Sequence, residues 1–134
     1  MHAALAGAVY FLVVYVVGFV LGAARVLLVT PRLGATAAVL VELPVMLTAS
    51  WIVCRLIVRR MAVAPRPSAR LAMGASAFIL LMLAETALGM AAFGQTLATQ
   101  IASLRQIAGL IGLGGQMMFA LLPLIQLRIL QRTM

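Results

Sequence analysis

The chain has 134 residues, 66% of them apolar and 9% charged, and ten basic residues against two acids give a formal net charge of +8. Mean hydropathy is +1.21. Soluble domains carry roughly a quarter of their residues as charged ones, so this composition excludes an ordinary soluble fold and indicates an integral membrane protein with room for about four spans of some 20 residues and for no soluble domain.

From the N-terminal side, His2 to Ala24 contains no Lys, Arg, Asp or Glu. Two placements of the first span compete, one ending at Arg25 and one holding Arg25 inside. The second is preferred, at about 8–29, because "VLLVT" continues the apolar run and Pro31 supplies a stop. A cleaved signal peptide is disfavoured: "LGAA" imitates a cleavage site, but a basic leading segment is lacking. The second span covers about 36–57 and contains Pro44. Proline removes an amide donor and pushes on the carbonyl four residues back, so a kink over residues 40–44 is expected, beside Glu42.

"RRMAVAPRPSAR", residues 59–70, is the clearest connection, with two prolines, a serine and four arginines. The third span follows at about 71–93 and is interrupted by Glu85. "GQTLATQIASLRQ" is polar enough to leave the hydrocarbon, and its 99–107 part suits a short interfacial helix. The fourth span, about 106–127, carries no charge and ends at "RILQRTM". The expected architecture is all-α, one transmembrane domain over 1–134, a polytopic four-transmembrane-helix bundle without internal duplication.

All ten basic residues are Arg, and they flank apolar runs instead of forming a basic patch interleaved with aromatics. That pattern argues against nucleic acid and for topology control and contact with membrane lipids. With both termini cytoplasmic, the inside carries Arg55, Arg59, Arg60, Arg66, Arg70, Arg128 and Arg132, and the outside Arg32 and Arg105 with Arg25 nearby. The asymmetry predicts an N-in/C-in, multi-pass protein of a bacterial inner membrane.

Depth can be counted from the Pro31–Gly34 turn. Arg25 lies six residues before Pro31 and Glu42 eight after Gly34, which puts each roughly 9–12 Å below the turn at 1.5 Å per residue. The two charges are spaced to meet, and Glu85, nine residues before Gly94, lies at a similar depth. A buried Arg25, Glu42, Glu85 cluster is therefore allowed. An unpaired charge near the bilayer centre costs a few kcal/mol, so both acids are expected to face the bundle or a partner. Three readings compete: an ion pair that fixes helix register, a proton, ion or substrate site, and a contact with another subunit.

Helical spacing places Tyr15, Gly18, Gly22 and Arg25 on one stripe, with Gly18 and Gly22 as a small-residue packing surface. Gly74, Phe78, Leu81, Glu85 and Gly89 follow a face of the third helix, and Gly109, Gly112, Gln116 and Pro123 a face of the fourth. Trp51 reads as packing or an interfacial anchor, and a groove lined by Trp51, Gln116 and a glutamate would suit a quinone or lipid. Tyr15 reads as a packed aromatic. The methionines show no metal-site pattern, the single Cys54 reads as a small hydrophobe, and one histidine with no aspartate supplies no metal or haem ligand set. Nucleotide-binding and hydrolase motifs are absent from the sequence, so no cofactor, no metal and no independent enzyme activity are expected. Four short helices with an intramembrane Glu are similar in size to small multidrug exporters, but here the acids lie in spans two and three, so the likeness implies no substrate.

The first functional reading is a small inner-membrane structural or accessory subunit with a buried Arg/Glu cluster, working as a homo-oligomer or with another membrane subunit. The alternative is a proton-coupled small-molecule transporter acting as an oligomer. Water access to the acids discriminates the two.

Overall fold

The computed structural model describes residues 2–133. Its helices are α1 (His2–Ala24), α2 (Thr30–Leu33), α3 (Ala35–Arg60), α4 (Pro67–Phe93), α5 (Leu97–Ser103) and α6 (Ile107–Thr133). Four helical segments, His2–Leu33, Ala35–Arg60, Pro67–Ala92 and Gly109–Arg132, are long and apolar enough to cross a membrane. The protein is thus an all-α bundle of four long apolar helices.

Pro31 does not stop the first helical segment. Between α1 and α2 the backbone widens into a π-helical stretch, Arg25–Val29, in which the Thr30 amide bonds the Arg25 carbonyl. Proline has no amide to donate and its ring crowds the preceding turn, and the wider turn absorbs both defects. The reversal comes instead at Gly34, whose φ of 85° is open to glycine and strained for other residues. Gly34 alone joins α2 to α3. α3 then runs as one continuous helix through Pro44, and the Thr48 hydroxyl donates to the Pro44 carbonyl at 2.7 Å.

Each remaining boundary has a local cause. At the end of α3 the Val63 amide reaches back to the Val58 carbonyl, 3.1 Å, across Ala62, which sits at φ 49°. This is a left-handed C-terminal cap on a residue that is not glycine. Arg66 is extended and Pro67 opens α4, the first-turn position where its missing amide costs nothing. Gly94 closes α4 at φ 62°. The short helix lies at Leu97–Ser103, earlier than the expected 99–107, because the Thr96 hydroxyl caps it by accepting from the Thr99 amide.

α1 packs on α3 and α4, and α6 packs on the same two helices. Round the bundle the order is therefore α1, α3, α6, α4, with α1 facing α6 across one diagonal and α3 facing α4 across the other. The 61–66 connection crosses that second diagonal and seals one end of the bundle, hereafter the loop end; the opposite end, with Gly34 and α5, is the turn end. Val63 is buried in this seal, and the His2 ring nitrogen contacts the Met61 carbonyl.

The core lies almost wholly in the loop half: Tyr10 and Val14 of α1, Cys54 and Ile57 of α3, Met73 and Ala77 of α4, Phe119 and Leu122 of α6. Among the described residues of the turn half, Ala38 and Gly89 are the buried ones. Lipid tails are as apolar as Leu, so helices associate in a bilayer through close packing and hydrogen bonds. Close packing falls on Gly7, where a Cβ would overlap Ser76 Oγ and the Met73 carbonyl, and on Gly74, where it would overlap the Ala120 carbonyl. At Gly18 a Cβ would press tightly on the end of the Met46 side chain, while Gly22 and Gly112 border open space. Gly22 and Gly112 thus supply none of the close approach, Gly18 and Gly115 meet only the side chains of Met46 and Leu43, and the backbones of the long helices come closest at Gly7 and Gly74, nearer the loop end.

Pro123 generates the most informative contact. It lacks the amide that would bond the Phe119 carbonyl four residues earlier, and the Tyr10 hydroxyl of α1 donates to that carbonyl at 2.9 Å. The Tyr10 and Phe119 rings also stack, with centroids 4.4 Å apart. Tyr10→Phe should therefore lower stability in detergent by about 1 kcal/mol. Pro123→Ala restores a helical amide to Phe119, so the same tyrosine change in that background should cost much less, and equal losses in both backgrounds would refute the link. At the end of α3, Ala62→Gly should raise thermal stability by about 1 kcal/mol, because glycine adopts the left-handed cap freely; a thermal melt of the single variant checks it.

Candidate functional site

Arg25 begins the π-helical stretch and continues the inward line of α1 that runs through Tyr10, Val14 and Gly18. Glu42 continues the inward line of α3, four residues from Ala38 on one side and from Met46 on the other. The two lines face each other, since Gly18 opposes Met46. At this level Arg25 Nε and Glu42 Oε2 form an ion pair, with side chains 30% and 19% exposed. Nε lacks hydrogen-bond alignment in this contact, so the attraction is mainly electrostatic. The pair joins α1 to α3 just below the Gly34 reversal.

Glu85 belongs to a different pair. It lies eleven residues, about three turns, beyond Gly74, on the α6-facing side of α4. There Gln116 Nε2 donates to Glu85 Oε2 at 2.5 Å. Glu85 is nonetheless exposed, because the helices of the turn half enclose few side chains. Among the described residues its hydrogen-bond partner is Gln116, not Arg25. Depth counting located Glu85 along the bundle; its direction round the helix axis turns it toward α6.

The other sequence candidates are dispersed. Tyr15 is half-buried and tilts against Phe11 at 5.3 Å. Trp51 lines an open apolar groove of about 380 Å³ with Leu47, Thr48, Met118, Leu122 and Ile125. Neither Gln116 nor a glutamate lines it, so the polar groove expected around Trp51 is an apolar surface cleft between α3 and α6.

A polar set that the span-by-span reading passed over lies in the loop half. Arg70 is 4% exposed, and its NH1 donates to the Pro123 carbonyl at 3.3 Å while Nε donates to the Ala64 carbonyl at 3.4 Å. Gln126, also 4% exposed, donates from Nε2 to the Trp51 carbonyl at 2.9 Å. Ser50 and Cys54 are buried beside them on α3. Counting Arg70 as a connection residue concealed it. Its spacing from Met73, Gly74 and Ala77 was the available signal, since these residues share the inward face of α4. Similarly, Gln126 follows Phe119 and Leu122 at helical spacing.

Acids are held one by one, and the buried side chains of Tyr10, Arg70 and Gln126 donate to backbone carbonyls. Among the described residues no group of three or more His, Cys, Asp or Glu could hold a metal ion. No protein-family model, curated protein or solved structure matches the chain.

Replacing one member of the Arg25–Glu42 pair strands the other. Glu42→Gln should be the costlier change, on the order of 2 kcal/mol, because a guanidinium keeps its proton whereas an abandoned carboxylate can take one up. The double variant, Arg25→Met with Glu42→Gln, should be more stable than Glu42→Gln alone. Thermal melts in one detergent, repeated with Glu85→Gln, check this. Additive losses in both backgrounds would show that the pair contributes no coupling.

Proposed function

We propose that the protein is a small structural or accessory subunit of a bacterial inner membrane, N-in/C-in, that acts beside other copies of itself or another membrane protein. The observation that carries this reading is the separate pairing of its two acids, Glu42 with Arg25 and Glu85 with Gln116. A carrier that couples proton movement to a substrate needs an acid that can exchange protons and meet the substrate in a shared cavity. Here the α1/α3 and α3/α6 clefts are lined almost wholly by apolar side chains and include neither acid.

The accessory reading also draws support from the uneven core. A bundle tightly packed at one end and loosely packed at the other suits a chain whose turn half is completed by a neighbour. Exposed Glu85 makes that half expensive to leave against lipid. The transporter alternative makes a different demand, since Glu85 would then have to carry the proton.

Three experiments test the reading. In proteoliposomes with an imposed pH gradient, wild type and Glu85→Gln should leak protons equally slowly, whereas a flux abolished by Glu85→Gln would favour transport. In native-lipid particles the measured mass should exceed that of one 14.2 kDa chain, and a lone chain would count against an assembly role. For orientation, single cysteines introduced in a Cys54-free background should react with a membrane-impermeant reagent in the 95–102 segment and not in the 60–68 segment of intact cells. The opposite pattern would reverse the topology.

A further inference from the structure

We propose that the open groove between α1 and α3 seats one acyl chain of an anionic phospholipid, with the headgroup phosphate held by Arg60. Val9 and Val13 of α1 and Val53, Leu56 and Ile57 of α3 line this groove, and Arg60 stands at its loop end. Its volume is about 320 Å³. From Val53 to Arg60 the groove follows α3 for roughly 10 Å at the helical rise. It therefore runs along the helix axes, as an acyl chain does in a bilayer.

Charge selects the headgroup. Arg60 ends α3 where the chain leaves the apolar segment, so its stem can lie along the groove while its guanidinium reaches the headgroup layer. Arg59 and Arg66 are exposed nearby, and both acids of the chain lie in the turn half. A guanidinium binds phosphate through two parallel hydrogen bonds, an arrangement an ammonium cannot copy. Carbonyls at a helix C-terminus would ordinarily repel an anion. In this case the Ile57 and Val58 carbonyls accept from the Met61 and Val63 amides, and the Met61 carbonyl contacts His2. The site is open on the side away from α4 and α6, so a lipid can enter laterally. This inference does not depend on the accessory reading or on orientation; it requires only that the bundle stands in a bilayer.

The full-length chain in detergent would be offered equal amounts of phosphatidylglycerol and phosphatidylcholine with identical chains, and retained lipid read by native mass spectrometry. Wild type should keep one phosphatidylglycerol in preference. Arg60→Gln should reduce the retained ratio of phosphatidylglycerol to phosphatidylcholine about fivefold, the effect of one surface arginine on an anionic lipid. Arg60→Lys should lower it less, and Arg59→Gln, outside the groove, should lower it clearly less than Arg60→Gln does. Val53→Phe, which fills the groove, should reduce retention of both lipids. Equal effects of Arg59→Gln and Arg60→Gln would reveal a diffuse basic belt and overturn the site, as would lipid-free dimers or an unchanged ratio in Arg60→Gln. Circular dichroism establishes that each variant is folded. Should Arg60→Gln fail to fold, wild type with phosphatidylglycerol carrying a photoreactive acyl chain decides the matter: adducts on Val9, Val13 or Leu56 support the groove, and adducts confined elsewhere overturn it.

Discussion

The fold depends on the requirement that a backbone carbonyl inside a membrane find a donor. Pro123 takes one donor away from α6, and the bundle answers with Tyr10 from the diagonal helix. Residues 119–126 thereby become the hub of the structure. Tyr10 of α1 donates to the Phe119 carbonyl, Arg70 of α4 to the Pro123 carbonyl, and Gln126 returns a bond to the Trp51 carbonyl of α3. Each of the other three long helices is tied to the same two turns of α6 by a side chain bonded to backbone. Because hydrophobic attraction between helices is weak in lipid, such fixed polar contacts determine which packing is chosen.

The hub explains why the two halves of the molecule differ. Near it, small residues such as Gly7 and Gly74 bring backbones close, and apolar side chains interlock round Met73 and Cys54. Farther along, toward Gly34 and α5, burial fades and interhelical polar pairs take over. Arg25–Glu42 holds α1 to α3, and Gln116–Glu85 holds α6 to α4. Each pair joins ring neighbours within one of the two hairpins. The core of the loop half then binds hairpin to hairpin, so the pairs and the core have separate tasks.

Much of this was legible in the sequence, and the limits have physical causes. Apolar runs and the Pro/Gly turn disclose four long helices, and equal depth from that turn discloses that Arg25 and Glu42 can meet. Depth carries no information about direction round the helix, so it could not separate Glu85 from the Arg25 pair; the spacing from Gly74 carries that direction once α6 is known to be the neighbour. Ring order is likewise invisible to hydropathy, since a 61–66 connection that crosses a diagonal and one that joins adjacent helices have the same composition. Glycine spacing marks surfaces able to pack closely. Which surface does so is fixed by what lies opposite, and for Gly22 and Gly112 that is open space.

The distribution of charge links packing to the bilayer. Seven of the ten arginines and neither acid belong to the loop half. Arg70 is drawn into the bundle there to bond carbonyls, while Arg59, Arg60 and Arg66 stay exposed. In the turn half, Glu42 lies against Arg25 and leaves only Arg32 and Arg105 without an acid as ion-pair partner among the described residues. Neutralising the turn half internally therefore has a consequence at the opposite surface. Nearly all the net positive field is concentrated at the loop end, where anionic headgroups can balance it and where a charge-based orientation signal would act. The same pairing that closes the first hairpin thus sharpens the asymmetry by which the whole bundle would be read by its membrane.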